Sequence, residues 1–254
     1  MIFFVSGNTI TLNDNALVYS KVIGGKGDGY GSIAVNGNTV TLNGFSDANE
    51  TIYGGFAENF NTSGSVSVSG NAVTLSDNTT GAGQTIGGYS SGGGSASVSG
   101  NTVILNNSSS SYGDISGGQS FYSADAIVSG NAVTLNDNSY AYRTVMGAIG
   151  FSKNYLSVSG NTVTLNDRTI VNYSVYGGEG STSAADSTMT ISGNIVTLND
   201  NSIVRGAIYG GHGIYYYSTT IMINGNTVNI NDTATPGESL YGGNGGYCRG
   251  AHFL

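Results

Sequence analysis

The stretch Val158-Ser159-Gly160-Asn161-Thr162-Val163-Thr164-Leu165-Asn166-Asp167, followed by Val175-Tyr176-Gly177-Gly178, decides the fold, because the chain repeats it eight times. The Gly-Asn pair stands at Gly7-Asn8, Gly37-Asn38, Gly70-Asn71, Gly100-Asn101, Gly130-Asn131, Gly160-Asn161, Gly193-Asn194 and Gly225-Asn226, in steps of 30 to 33 residues. A second mark, usually Gly-Gly, begins 17 residues after each Gly-Asn glycine, at Gly24, Gly54, Gly87, Gly117, Gly147, Gly177, Gly210 and Gly242. All length variation therefore falls between the second mark and the next Gly-Asn. One part of the repeat is held to length, and one side loop is free.

Around each Gly-Asn, apolar residues sit two before the glycine (Val98, Val128, Val158) and three and five after it (Val103 and Leu105, Val163 and Leu165). Ser and Thr fill the alternate places. Period two marks strands with one buried face. The parity flips across Gly-Asn, so the chain turns there. A third short strand is expected just before the Gly-Gly mark, as in Thr51-Ile52-Tyr53 and Ser174-Val175-Tyr176.

Two architectures satisfy this pattern. In a parallel β-helix each repeat is one coil of three strands, and equivalent residues stack about 4.8 Å apart. In an array of β-hairpins, Gly-Asn is a two-residue turn that pairs Val68 with Val73. The β-helix is favoured. It turns Asn8, Asn38, Asn71, Asn101, Asn131, Asn161, Asn194 and Asn226 into a ladder of amides along one corner. It also puts the free-length loops on one side. The expected unit is a single all-β solenoid domain over residues 1–254, about eight coils long, read as a piece of a longer array. Met1–Val5 reads as the incoming strand of the first coil rather than as a leader segment.

Composition narrows the function. The chain has 254 residues with 42 Gly, 1 Pro and 1 Cys, and its net charge is −8. There is no G-X-Y period, so it is not collagen-like. Seven Lys plus Arg against fifteen Asp plus Glu argue against nucleic acid as a partner. No apolar run is long enough to span a membrane. A composition this rich in Gly, Ser and Asn can signal disorder, but the regular apolar spacing argues for strands.

The strings Val158 to Asp167 and Val175 to Gly178 resemble the passenger repeats of bacterial autotransporter adhesins, with a looser likeness to chlamydial polymorphic outer-membrane proteins at Gly147-Ala148-Ile149. The resemblance spans all eight repeats. It implies a right-handed parallel β-helix, displayed on the cell surface or outer membrane or secreted. Signal peptide and translocator barrel are not among these residues, so export is implied for a parent protein.

Candidate chemistry is sparse. The histidines are His212 and His252, and Cys248 has Arg249 beside it. None of these assembles a triad by spacing. Carboxylates recur seven after the glycine, at Asp14, Asp77, Asp137, Asp167, Asp200 and Asp232, with Gly44 and Asn107 in the other two copies. An Asx-turn explains them better than calcium, since Gly44 is tolerated. Gly24-Gly-Lys-Gly-Asp-Gly29 resembles one calcium-binding unit but occurs once. Thr-x-Thr recurs at Thr9/Thr11, Thr39/Thr41 and Thr162/Thr164, an ice-binding pattern interrupted by Ala72, Ile104, Ala132, Ile195 and Asn229. Aromatics gather near the Gly-Gly mark. Tyr53, Tyr89, Tyr176, Tyr209 and Tyr241 form the candidate binding face, and Tyr215-Tyr216-Tyr217 adds to it.

These residues point to a non-catalytic, adhesin-like structural solenoid with no cofactor. Its partner would be a host surface protein or a glycan, and end-to-end stacking of copies is a further contact. A polysaccharide-active β-helix enzyme fragment and an ice-binding solenoid are the alternatives.

Overall fold

At Gly100 the backbone takes φ +62°, and the equivalent glycine of every other coil lies between +61° and +69°. That left-handed conformation is easy for glycine and strained for residues with a Cβ. No atom lies within 4 Å of where a Cβ would sit on Gly100, so backbone angle rather than space requires the glycine. The turn joins two strands of one coil. In the fourth coil these are Ser95–Ser99 and Thr102–Leu105, and their buried residues are Ala96, Val98, Val103 and Leu105.

The computed structural model describes residues 2–61, 64–215 and 219–245. It is a parallel β-solenoid of about eight coils. Every strand pair is parallel, and equivalent residues of successive coils pair in register, as in Val73↔Val103 and Val103↔Val133, apart from a slip at Ser123 between Ile115–Ser129 and Val145–Ser159. Sheets of 14, 8 and 8 strands run the length of the structure. The hairpin array is thereby excluded, since strands on either side of Gly-Asn belong to different sheets.

Two features differ from the sequence reading. Each coil carries an additional two-residue strand, such as Ser110–Ser111, and these form the third sheet. And the Gly-Gly mark lies inside a strand rather than after one. Thr85–Gly92 runs straight through Gly87-Gly88. Its pairing with the previous coil passes from Ile86↔Tyr53 to Gly88↔Gly55, leaving Gly87 as an unpaired step. Parity slips there, and the strand crosses from one part of the core to another.

The core accordingly has two lobes. One holds Val103, Leu105, Ile115 and their equivalents. The other holds Val98, Val128, Leu156 and theirs. Between them stands the asparagine ladder. Asn71 donates from its backbone N–H and from Nδ2 to Asn101 Oδ1, at 3.0 and 2.9 Å. Asn101 does the same to Asn131, at 3.0 and 2.9 Å. The second amide hydrogen of Asn101 goes to the Val68 carbonyl at 3.0 Å. Each interior rung therefore uses both amide hydrogens and a doubly accepting oxygen, so Asn38, Asn71, Asn101, Asn131, Asn161 and Asn194 are satisfied at 0% exposure.

The second glycine of the mark makes room for this ladder. A Cβ on Gly118 would lie 2.6 Å from Asn131 Cγ, and one on Gly117 would lie 2.6 Å from the Gly147 carbonyl oxygen. Ala148 is the one exception at the second position. It is fully buried, and Asn161 beside it keeps its bonds to Asn194 Oδ1 and the Val128 carbonyl, at 2.9 and 3.1 Å.

The free-length side loops fall where the repeat spacing puts them. Breaks follow Gly29, Asn59, Gly92 and Thr182, whereas the fourth and fifth coils run unbroken as Ile115–Ser129 and Val145–Ser159.

Candidate functional site

The parity slip at Gly-Gly places two outward residues three apart, one on each side of the mark. They lean together over it, so that a furrow follows the mark along the solenoid. Tyr53 and Phe56 meet edge to face at 5.1 Å, and Tyr209 meets His212 at 4.9 Å. Outward residues in the furrow are covered by their neighbours: Ile86 and Ser116 are fully buried, and Gln119 is 4% exposed.

The five tyrosines of the expected binding face fall into two groups in this furrow. Tyr53 and Tyr89 pack with Phe56, and Phe56 stacks on Tyr89 at 5.1 Å with an interplanar angle of 6°. Tyr176, Tyr209 and Tyr241 form a second stack, at 4.8 and 4.9 Å with angles of 3° and 6°. Ser116, Gln119, Met146 and Ile149 separate the groups. Stacking at the coil repeat hides one ring face against the next. The rows present edges and hydroxyls to solvent more than open faces, which changes what they offer a sugar.

Burial pushes the Tyr176 phenol up to about 12, with the Glu179 carboxylate adding to it. Burial also raises Tyr53, Tyr89 and Tyr209. These phenols are neutral hydrogen-bonding groups at physiological pH.

The Asp row occupies a backbone position that selects its residues. Asp14, Asp77, Asp137, Asp167, Asp200 and Asp232 all lie at φ 50–62°, with Asn107 at 51° and Gly44 at 72°. Asp, Asn and Gly are the residues that tolerate this region best. Asn107 Nδ2 donates to Asp77 Oδ1 at 2.8 Å. Among the described residues, no group of three or more His, Cys, Asp or Glu side chains is arranged to hold a metal ion. In the Gly24–Gly29 segment, Asp28 pairs with Lys26 Nζ at 2.7 Å on an extended strand.

Hollows open beside Arg168 and Ile170, between Tyr112 and Arg143, and between Phe121 and Phe151; none of these holds more than one carboxylate. Cys248, Arg249 and His252 lie outside the described residues, as do Tyr216 and Tyr217. His212 lies in the furrow, with Nδ1 3.8 Å from Glu179 Oε1.

On the second sheet, the outward residues of the strands after Gly-Asn line up in two rows. Thr9, Thr39, Thr102, Thr162 and Thr227 share one row, and Thr11, Thr41, Thr74, Thr134, Thr164 and Thr197 the other. The residues that interrupt these rows are uncharged as well.

Sequence reasoning missed the contact between Asn and the second glycine, the outer asparagine row and the bulge at Tyr122. The outer row, in which Asn136 donates to Asn106 and Asn166 to Asn136 at 2.8 and 2.7 Å, was signalled by the asparagine six after the Gly-Asn glycine in every copy but the third, which has Ser76.

No protein-family model, no curated protein and no solved structure matches this chain significantly.

Proposed function

We propose that this chain is a non-catalytic, adhesin-like structural solenoid, displayed on the surface or outer membrane of a bacterium or secreted by it, similar to autotransporter passenger repeats. The in-register stacking carries the reading. Each outward position becomes a row, so a contact made by one coil is available again about 4.8 Å further on. Weak contacts with a host surface protein or glycan then add along the solenoid. The polysaccharide-enzyme alternative calls for a cleft with several carboxylates and a base, and the hollows described each hold at most one carboxylate.

Beads coated with residues 1–254 are expected to attach to epithelial cells in a dose-dependent way, above beads coated with an unrelated acidic β-protein. Equal attachment by the two would overturn adhesion. A signal peptide before the chain and a translocator barrel after it, in the parent gene, would support the export route.

The threonine rows favour a second reading, ice binding. Thermal hysteresis in a solution of the soluble chain supports it, and its absence removes it.

A further inference from the structure

On the flank of the furrow, the fourth coil departs from the others. Pairing between its long strand Ile115–Ser129 and the next, Val145–Ser159, is regular up to Ser120↔Gly150, then slips on both sides of Ser123. Tyr122 lies in this slip at φ +62°, and it is 73% exposed. Among the described residues, the other non-glycine residues with positive φ are Asp, Asn, Ser and Arg. A left-handed tyrosine inside a strand is costly, and a bulge re-aims the side chains beside it. Here Phe121 of the fourth coil and Phe151 of the fifth line the same hollow, and Tyr122 packs edge-on against Phe151 at 6.1 Å.

The hollow has a volume of about 160 Å³. Ile149 and Ile214 complete its apolar wall, and Glu179 and Ser181 supply its polar groups. Those polar groups lack partners. The Glu179 side chain is 16% exposed and accepts no hydrogen bond from the described residues; the imidazole Nδ1 of His212 lies beyond hydrogen-bond reach at 3.8 Å. Ser181 Oγ is buried without a partner, and so is His212 Nδ1. A carboxylate held largely out of water without a donor is costly, and a cationic donor relieves it.

We propose that this hollow binds the side chain of a lysine presented by a protein partner. At ~30 Å³ per water-sized group, the hollow has room for about five heavy atoms, the number from Cβ to Nζ of lysine. The methylene stem lies against Ile149, Ile214 and the phenylalanines. The ammonium has three donors, which Glu179 and Ser181 Oγ accept. Phe121 and Phe151 add the attraction of a ring face for a cation. The net charge of −8 draws a basic partner toward the solenoid. The proposal rests on the adhesive reading and names the chemistry of one of its contacts.

The test is an NMR titration of the full chain with n-butylammonium, read at the amides of Gly150, Gly180 and Ser181. Saturable shifts confined to these residues are expected. Glu179→Gln should weaken binding at least tenfold, and n-butanol should bind at least tenfold more weakly than the ammonium. Ser181→Phe should abolish the shifts by filling the hollow; should that variant not fold, Glu179→Gln decides alone. No saturable shift, equal affinity in Glu179→Gln, equal affinity for n-butanol, or tighter binding of n-propylguanidinium would each overturn the lysine assignment. Bead attachment separates this from the adhesive reading. Wild-type beads that adhere while the titration fails leave adhesion standing and remove the lysine site. A Glu179-dependent titration with non-adherent beads does the reverse.

Discussion

The two sides of the Gly-Gly mark, one facing in and one facing out, are built on different terms. Inward, six of the eight coils present the same contact, the second glycine against an asparagine side chain; Ala148 takes that place in the fifth coil, and Gly243 faces Ile223 in the last. Outward, on the same strand and one residue away, the side chains change from Lys26 to Phe56, Tyr89, Gln119, Ile149, Glu179 and His212. The inner side is a shared element, where a defect in one rung leaves its neighbours unbonded. The outer side is a set of largely independent positions, free to acquire contacts one coil at a time. Structure is concentrated on one face and variation on the other, which suits a scaffold that displays surface.

The largest effect should come from breaking a rung. Asn101→Leu would orphan the donors of Asn71, the Val68 carbonyl and an acceptor on Asn131. At roughly 1–3 kcal/mol for each buried group left without a partner, a loss of about 3–5 kcal/mol is expected in denaturant unfolding. Asn199→Ala, in the outer row where Asn199 bonds Asn166 at 2.7 Å, should cost less than about 1 kcal/mol, because water replaces the lost partner. Equal losses would erase the distinction between the two rows.

The two glycines of one mark should also differ. Gly117→Ala drives a Cβ into a backbone oxygen that cannot move without shifting a coil, and should cost about 2–3 kcal/mol. Gly118→Ala meets the Asn131 side chain instead. Ala148 already occupies the equivalent place, so a cost near 1 kcal/mol or below is expected. Thermal unfolding of the pair would show the ranking, and a reversal would mean that the Asn contact, rather than the backbone approach, is the stiffer one.

Much of this was legible in the sequence, and the reasons for the remainder are physical. The parity flip at Gly-Asn and the eight equivalent asparagines gave strands, corner and ladder. The contact between Gly88 and Asn101 was not legible, because it forms through space across the core and no pattern along the repeat reports it. Nor was the division of the tyrosines. Tyr89 lies three residues after Ile86, and the slip at Gly87-Gly88 decides that both point outward. The bulge at Tyr122 was hidden because the fourth coil is no longer than its neighbours, so spacing gave no sign of it.

Smaller effects belong to the outer side. Tyr122→Gly removes an exposed ring and relieves a left-handed backbone, so stability should rise or hold within about 1 kcal/mol. Clear destabilisation would show that the ring contacts with Phe121 and Phe151 outweigh the strain. Alkaline titration reads the tyrosine rows. The Tyr176 phenol is raised from 10 to about 12 by burial, so the unfolded chain loses that proton first. Stability should therefore fall as pH rises from 10 towards 12 and level off above it. Tyr176→Phe should flatten that decline while leaving stability at pH 7 nearly unchanged.

The central claim is that a fully bonded asparagine wall divides the core. Hydrogen exchange of the side-chain amides tests it most directly. The Nδ2 hydrogens of Asn71, Asn101, Asn131 and Asn161 should exchange as slowly as the backbone amides of Val103 and Val133, whereas those of Asn199 and Asn231 should exchange quickly. Rapid exchange at the interior rungs, with Val103 and Val133 still protected, would contradict the wall.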